Sequence, residues 1–385
     1  MAKWKICVVT GSRAEYGLLH DIMVGLNKCN DVDLQVVATG MHLSPEFGLT
    51  YKVIERDGFD IAAKVESLLS SDTAVGVTKS MGLGMIGFAE VFHTLSPNLV
   101  VLLGDRFEIL SAALAAYIAR IPIAHIGGGD VTEGAFDDSI RHSITKLASL
   151  HFVTHEAARR RVCQLGEDPA VVFDVGHPGI DRIRNLVLLS KEELAEILKF
   201  QFRTNNVLVT YHPVTLGPRH SSEEFGEVLH ALHQLGEDVG IIFTKPNADP
   251  EGRLLANMID DFVANHANAV SHTSLGQLYY FSAVQWVDAV VGNSSSGIYE
   301  VPSLKKPTVD IGDRQKGRMR GNSVVHCEPR AEDILHAIQN AFQLDCQNVA
   351  NPYGDGYSSE RILTEIMLYI PQLGKTTKRF CEVGN

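Results

Sequence analysis

Short apolar runs alternate with amphipathic segments from one end of this chain to the other, and the series occurs twice. In the first series Lys5–Thr10, Asp33–Ala38, Leu99–Leu103, Ile121–Ile126, His151–Thr154 and Val171–Val175 read as strands. Helical patterns fall between them at Leu18–Lys28, Val75–Val91, Phe107–Ala119, Asp138–Leu147 and Glu156–Leu165. The second series has strands at Val207–Tyr211, Gly240–Thr244, Ala289–Val291, Thr308–Ile311 and Ser323–His326. Its helices include Ser222–Leu235, Pro250–Ala264 and Ala331–Phe342. Strands separated by helices return to a sheet by crossover, which makes the sheet parallel. The expected class is therefore α/β, with two Rossmann-like domains whose parallel sheets face each other across a cleft. A seam lies where His177-Pro178-Gly179 breaks the chain and Ser190-Lys191-Glu192-Glu193 reads as a helix cap. The expected division is residues 1–178, a hinge at 179–200, a second domain at 201–357, and a tail at 358–385 whose helix Ser358–Tyr369 could pack back on the first domain.

The chain has 385 residues, 45% hydrophobic and 21% charged, which fits sizeable cores rather than disorder. A net charge of -12 and the lack of a basic stripe argue against nucleic acid as a partner. The six cysteines show no CxxC spacing, so neither a disulfide scaffold nor a structural zinc site is expected, and reduced thiols fit the cytoplasm. The sixteen histidines do not combine with a third ligand into a metal-binding pattern. Met1–Thr10 runs straight into a strand without the form of a signal peptide, and no uninterrupted apolar stretch of about 18 residues predicts a membrane span.

Chemistry concentrates at the ends of the predicted strands, where ligands of open α/β sheets bind. Between Gly129 and Lys146 the chain carries Asp130, Glu133, Asp137, Asp138, Arg141, His142 and Lys146. Acids gathered there are costly to hold and point to catalysis. Asp105, after the strand Leu99–Leu103, is either a general acid or base or the cap of the next helix. Thr10–Gly17 places Gly11 and Arg13 between a strand and a helix, as a phosphate-receiving turn or an ordinary βα turn would. His212 ends the first strand of the second series. Ser294 and Ser295 lead into a predicted helix bearing Glu300, in a pattern that suits a diphosphate or plain capping. Asp313–Arg320 holds four cations, including Arg314, on a binding loop or a solvated one. Gly82-x-Gly84-x-x-Gly87 matches a dinucleotide fingerprint but lies inside a predicted helix, so no nicotinamide site is expected.

Taken in order, TGSRAEYG, LLGDRFEIL, HIGGGD, TEGAFDDSIRHSITK, YHPVT, KPNADPEG, GNSSSGIYEVP and IGDRQKGR resemble the hydrolysing UDP-N-acetylglucosamine 2-epimerases of sialic-acid and related nonulosonic-acid synthesis. The resemblance spans nearly the whole chain. It implies the GT-B fold, a nucleotide-sugar substrate, and release of N-acetylmannosamine and UDP through a 2-acetamidoglucal. No metal or redox cofactor is implied. It also implies a cytoplasmic homodimer or homotetramer without a membrane or nucleic-acid partner. Carried over by motif, Asp105, Asp137, Arg141 and His212 form the catalytic set, with Asp130 beside them. Arg13, Gly11, Ser294, Ser295, Glu300 and Arg314 are implied at UDP, and Asn247, Asp249 and Glu133 at the sugar.

One departure stands out. Relatives often read HIEGGE where this chain reads HIGGGD, so the first acid of that pattern is Gly127 here. Either Asp130 or Glu133 takes its part, or the sugar is bulkier, as in UDP-2,4-diacetamido-2,4,6-trideoxyglucose. A glycosyltransferase of the same fold is the rival of different class.

Overall fold

The structure is a computed structural model describing residues 3–69, 73–132, 136–213, 220–246, 250–373 and 378–382. It divides into two compact units, one formed by residues 1–182 with 353–385 and the other by 183–352.

In the first unit the order is β1 (Trp4–Thr10), α1 (Arg13–Lys28), β2 (Val32–Thr39), α2 (Tyr51–Arg56), β3 (Ile61–Val65), α3 (Ala74–Leu95), β4 (Leu99–Leu103), α4 (Phe107–Ile118), β5 (Ile123–Ile126), α5 (Phe136–Leu147), β6 (Leu150–Val153), α6 (Glu156–Gln164) and β7 (Val172–Asp174). After α7 (Pro178–Asn185), the second unit contains α8 (Lys191–Leu198), β8 (Asn205–Thr210), α9 (Ser221–Gln234), β9 (Val239–Thr244), α10 (Pro250–Asn265), β10 (Ala269–His272), α11 (Gly276–Trp286), β11 (Ala289–Gly292), α12 (Ser296–Tyr299), β12 (Thr308–Ile311), β13 (Val324–Cys327) and α13 (Ala331–Gln343). The last helix, α14 (Ser358–Tyr369), belongs to the first unit.

All strand pairs are parallel, in the orders β3-β2-β1-β4-β5-β6-β7 and β10-β9-β8-β11-β12-β13. Alternation sends successive residues to opposite cores: Ile6 and Val8 to one face of the first sheet, Cys7 and Val9 to the other. Likewise Val207 and Val209 oppose Leu208 in the second sheet. Strand order reverses between β1 and β4, and again between β8 and β11. The loops leaving those strands are where such sheets receive ligands.

The predicted strand at Ile121–Ile126 starts at Ile123, because Pro122 cannot donate to the ladder. Of the segment 179–200, residues up to 182 group with the first unit and those from 183 with the second. Leu194, Leu198 and Phe200 sit in the second unit's core, with Ser190 and Glu193 closing a capping box at α8. Helix α14 buries Ile362, Ile366 and Ile370 in the first unit's core, and Asp181 takes the N–H groups of Ser358 and Ser359 at its start. The glycines of the false fingerprint lie within α3. A Cβ on Gly84 would stand 3.2 Å from that of Ser111, and one on Gly87 only 2.8 Å from Val65, so they serve close packing. With a mean hydropathy of 1.2, α3 is long and apolar enough to cross a membrane by composition, which the sequence reading did not anticipate, although Phe88 and Phe92 lie in the core.

Candidate functional site

The first unit gathers its charges at the ends of β4, β5 and β6. Gly104 takes a left-handed turn (φ +83°) after β4 and delivers Asp105. Asp105 does not cap α4: Arg106 occupies the cap position, without a side-chain cap bond. The Asp105 carboxylate is instead ion-paired with Arg141 of α5. That guanidinium is buried, and it donates to Asp130 O at 2.8 Å, Asp138 Oδ1 at 3.1 Å and Thr132 Oγ1 at 3.0 Å. One arginine thus ties β4, the loop after β5 and α5 together. Charge-assisted bonds offset the cost of burying it.

Asp137 lies one turn before Arg141. Burial and the neighbouring Asp105 charge raise its carboxyl pKa against the pull of Arg106 and Arg141. Two carboxyls in unlike surroundings, one gripped by arginine and one with its pKa raised, are chemically able to act as an acid–base pair.

Asp130 is occupied differently from the sequence expectation. Its Oδ1 is 3.0 Å from His155 Nε2, and Thr154 Oγ1 donates to it at 3.1 Å. His155 Nδ1 accepts the N–H of Ala158 at the start of α6, so the neutral ring carries its proton on Nε2. Burial alone would raise the Asp130 pKa, but His155, Arg141 and Thr154 outweigh it and hold the group ionised. An ionised Asp130 is a poor proton donor. His125 lies beneath, bonded to Gly104 O at 2.8 Å, and burial lowers its pKa to about 3.

The turn after β1 also departs from expectation. Ser12 caps α1, and the Gly11 N–H donates to Glu15 Oε2 at 2.8 Å, so it is not free for a phosphate. Arg13 is exposed at the first position of α1. Arg106 reaches back to this turn, donating from Nε to Glu108 Oε1 at 2.6 Å with Glu15 Oε1 at 3.9 Å. Glu133, Asn247 and Asp249 lie outside the described residues.

In the second unit the centre is a neutral side chain. Asn293, fully buried after β11, accepts the His212 N–H at 2.7 Å and donates to the His212 carbonyl at 2.8 Å. This clasp joins the loops after β8 and β11. Gly292 makes it possible, since a Cβ there would lie 1.9 Å from Thr210 O. The Asn293 carbonyl in turn accepts from Arg314 Nη1 at 3.0 Å and Gln315 Nε2 at 2.8 Å. Ser294 and Ser295 follow, half-buried. The helix expected to bear Glu300 is a single turn, Ser296–Tyr299, and Glu300 sits at its end, with burial raising its carboxyl pKa. The basic loop is partly neutralised, because Arg320 pairs with the buried Asp310 at 2.7 Å.

Sequence reasoning missed Arg106, Glu15, Glu108, Asn293 and His155 as members of this framework. The first four lie inside motifs that were singled out for other residues. His155 lies just past β6, which ends at Val153, and each histidine takes its own acid, His151 pairing with Glu167 at 3.0 Å and His155 with Asp130.

The family model described as UDP-N-acetylglucosamine 2-epimerase matches residues 25–367. A hydrolysing GDP/UDP-N,N'-diacetylbacillosamine 2-epimerase of Campylobacter jejuni is 41% identical over 344 residues, covering 89% of this chain and 88% of the relative. A hydrolysing UDP-N,N'-diacetylbacillosamine 2-epimerase of Legionella pneumophila is 34% identical over 374 residues, covering 96% and 98%. In fold, the chain is similar to the UDP-GlcNAc 2-epimerase of Neisseria meningitidis solved with UDP-GlcNAc, at a TM-score of 0.74 and 17% identity over 94% of this chain and 100% of that one.

Proposed function

The chain belongs to the UDP-N-acetylglucosamine 2-epimerase family, and from that membership we propose that it hydrolyses a UDP-linked 2-acetamido sugar with inversion at C2. The observation that carries this reading is the placement of Asp105, gripped by Arg141, beside Asp137, whose carboxyl pKa is raised by burial and by the Asp105 charge.

The C2 hydrogen of such a sugar is not acidic, so departure of UDP leads. The C1–O bond breaks, the ring gains oxocarbenium character, and a carboxylate takes the C2 proton to leave a 2-acetamidoglucal. Water then adds at C1, and a proton returns to C2 from the opposite face. Asp105 and Asp137 supply the carboxylate and the carboxyl, and His212 serves as the further proton-transfer group. Arg141 holds Asp105 in place, and we assign Asp130 to positioning because its carboxylate is already engaged. The leaving diphosphate is met by Arg13, Ser294, Ser295 and Arg314, and the ribose by Glu300. Glu133, Asn247 and Asp249 are proposed at the sugar.

As substrate we propose UDP-N,N'-diacetylbacillosamine, the 2,4-diacetamido-2,4,6-trideoxy sugar that the two relatives are named for. Gly127 supports it, since a Cβ there would meet no atom within 4 Å among the described residues. The second reading, UDP-N-acetylglucosamine giving N-acetylmannosamine for sialic acid, is favoured by the family description. The deciding experiment incubates the protein with each UDP-sugar in deuterated water and follows it by proton NMR. Free sugar inverted at C2 and deuterated there, released with UDP, is expected from the diacetamido substrate at the higher kcat/KM. A sugar that stays attached to UDP would overturn hydrolysis, and faster turnover of UDP-N-acetylglucosamine would select the second reading.

A further inference from the structure

Two buried carboxyls lie outside the acid–base set. Glu15 is in the first turn of α1 and Glu108 in the first turn of α4, the helices that leave the two strands flanking the first sheet's reversal. Their side chains are 8% and 1% exposed. Each has one oxygen in use: Glu15 Oε2 accepts from Gly11, and Glu108 Oε1 accepts from Arg106 Nε. The other two oxygens, Glu15 Oε1 and Glu108 Oε2, are buried without a hydrogen-bond partner among the described residues. Packing leaves little slack around them. A Cβ on Gly11 would come within 2.9 Å of Glu108 Cγ, and one on Gly40 within 3.1 Å of Glu108 Oε1.

Two full negative charges against one guanidinium do not fit this volume, because desolvation costs several kcal/mol per ion. A carboxyl pair relieves the conflict by keeping a proton, and the protonated partner gains an O–H to donate. Arg106 Nε lies 2.6 Å from Glu108 Oε1 and 3.9 Å from Glu15 Oε1, which sets both carboxyls, each with an orphaned oxygen, against one guanidinium. Burial and the Glu108 charge push the Glu15 pKa up to about 8, which places the proton on Glu15 at neutral pH.

We infer that Glu15 and Glu108 hold one proton between them and act as a positioning pair for Arg106, gripping it at Nε and leaving its two terminal nitrogens for an anionic oxygen of the substrate. Those nitrogens have no hydrogen-bond partner among the described residues, and the Arg106 side chain is 36% exposed. Asp137 acts electrostatically on the same guanidinium, so its open edge belongs to the acid–base cluster. His42, whose ring bonds Thr10 Oγ1 at 3.0 Å, is kept neutral by burial, which lowers its pKa to about 4. It does not compete for the proton. The pair itself stands on geometry, and only the anion that Arg106 meets rests on the proposed function.

The test uses the full chain. Infrared spectra across a pH titration are expected to show a protonated carboxylic acid at pH 7 that titrates above the ordinary carboxylate range and is missing in Glu15→Gln. UDP binding by calorimetry is expected to fall about tenfold or more in Glu108→Gln and Glu15→Ala, the loss of a charge-assisted bond, and by no more than about twofold in Glu15→Gln, whose amide donates as the acid does. Absence of that infrared band, or UDP affinity unchanged in Glu108→Gln, would overturn the inference. The wild-type titration stands even if a variant does not fold. A chain that shows the band but does not bind UDP would sink the proposed function and leave the shared proton in place.

Discussion

The two sheets reverse at equivalent points, β1/β4 and β8/β11, and the loops leaving those points are built from opposite materials. In the first unit they hold charge against charge: Arg106 on Glu108, Arg141 on Asp105, and Asp137 between two arginines. In the second they are joined by one residue, Asn293, whose side-chain amide bonds both backbone groups of His212 and whose backbone carbonyl receives Arg314 and Gln315. A neutral amide costs far less to bury than an ion, and its geometry does not change with pH. On the proposed function, the first unit supplies the acid–base carboxyls, while the second contributes His212 on a neutral framework. The largest effect should come from breaking the charged side. Asp105→Asn is expected to lower kcat about 10²- to 10⁴-fold, the range of a lost acid–base group, with UDP affinity retained. UDP-release assays and calorimetry on the same preparation check this, and near-normal turnover would remove the first unit from the proton chemistry.

On the neutral side, Asn293→Ala leaves the His212 N–H and carbonyl without their buried partner. Loss of roughly 2–4 kcal/mol is expected, since unsatisfied buried groups cost more than the bond they lose. Chemical denaturation measures it, and the loss should be the same at pH 6 and pH 8. A pH-dependent loss would show that the clasp depends on a titrating neighbour.

Acid should find the first unit before the second. Glu167 there meets His151, Lys146 and Lys378, and although burial opposes it, these partners lower its pKa to about 2. A folded pKa below the unfolded one contributes stability that is fully present above the unfolded value, near 4.5, and is lost as pH falls toward about 2. Glu167→Gln is expected to be less stable than wild type at pH 7 and to show a flatter decline between those limits in denaturation series. A variant declining in parallel with wild type would mean that the cluster carries no linkage.

Much of this was legible in local pattern, and what was not shares a cause. A strand buried on both faces, such as Leu99–Leu103, forms an apolar run that stands out at the observed bounds. The edge strands β3 and β10 were not legible: Ile61–Val65 is short, alternates in exposure and contains Lys64, while Ala269–His272 ends in polar residues. Helix α11 was missed because apolar residues are spread round it rather than along one stripe. In the site, residue types were readable but partners were not. Arg141 and Asp105 are separated by 36 positions and Asn293 and His212 by 81, and no local period links them. His155 hid its role because histidine is not a usual helix cap.

The smallest effect is the most discriminating about substrate. Gly127 has φ +84° and open space at its Cβ position. A Cβ there meets no atom within 4 Å among the described residues, so the cost of alanine is the left-handed backbone, about 1–2 kcal/mol for an L-residue. Restoring the glutamate of the HIEGGE pattern would incur the same strain and add a charge, so alanine is the cleaner probe. Gly127→Ala is expected to lower stability by that amount. If the open space seats the second acetamido group, the ratio of kcat/KM between the diacetamido sugar and UDP-N-acetylglucosamine should fall about tenfold, the scale of one methyl group in a fitted pocket. Stability and selectivity separate the two roles of this glycine. A destabilised variant with an unchanged ratio would reduce Gly127 to a turn residue, and the choice between the two sugars would then have to be made elsewhere in the chain.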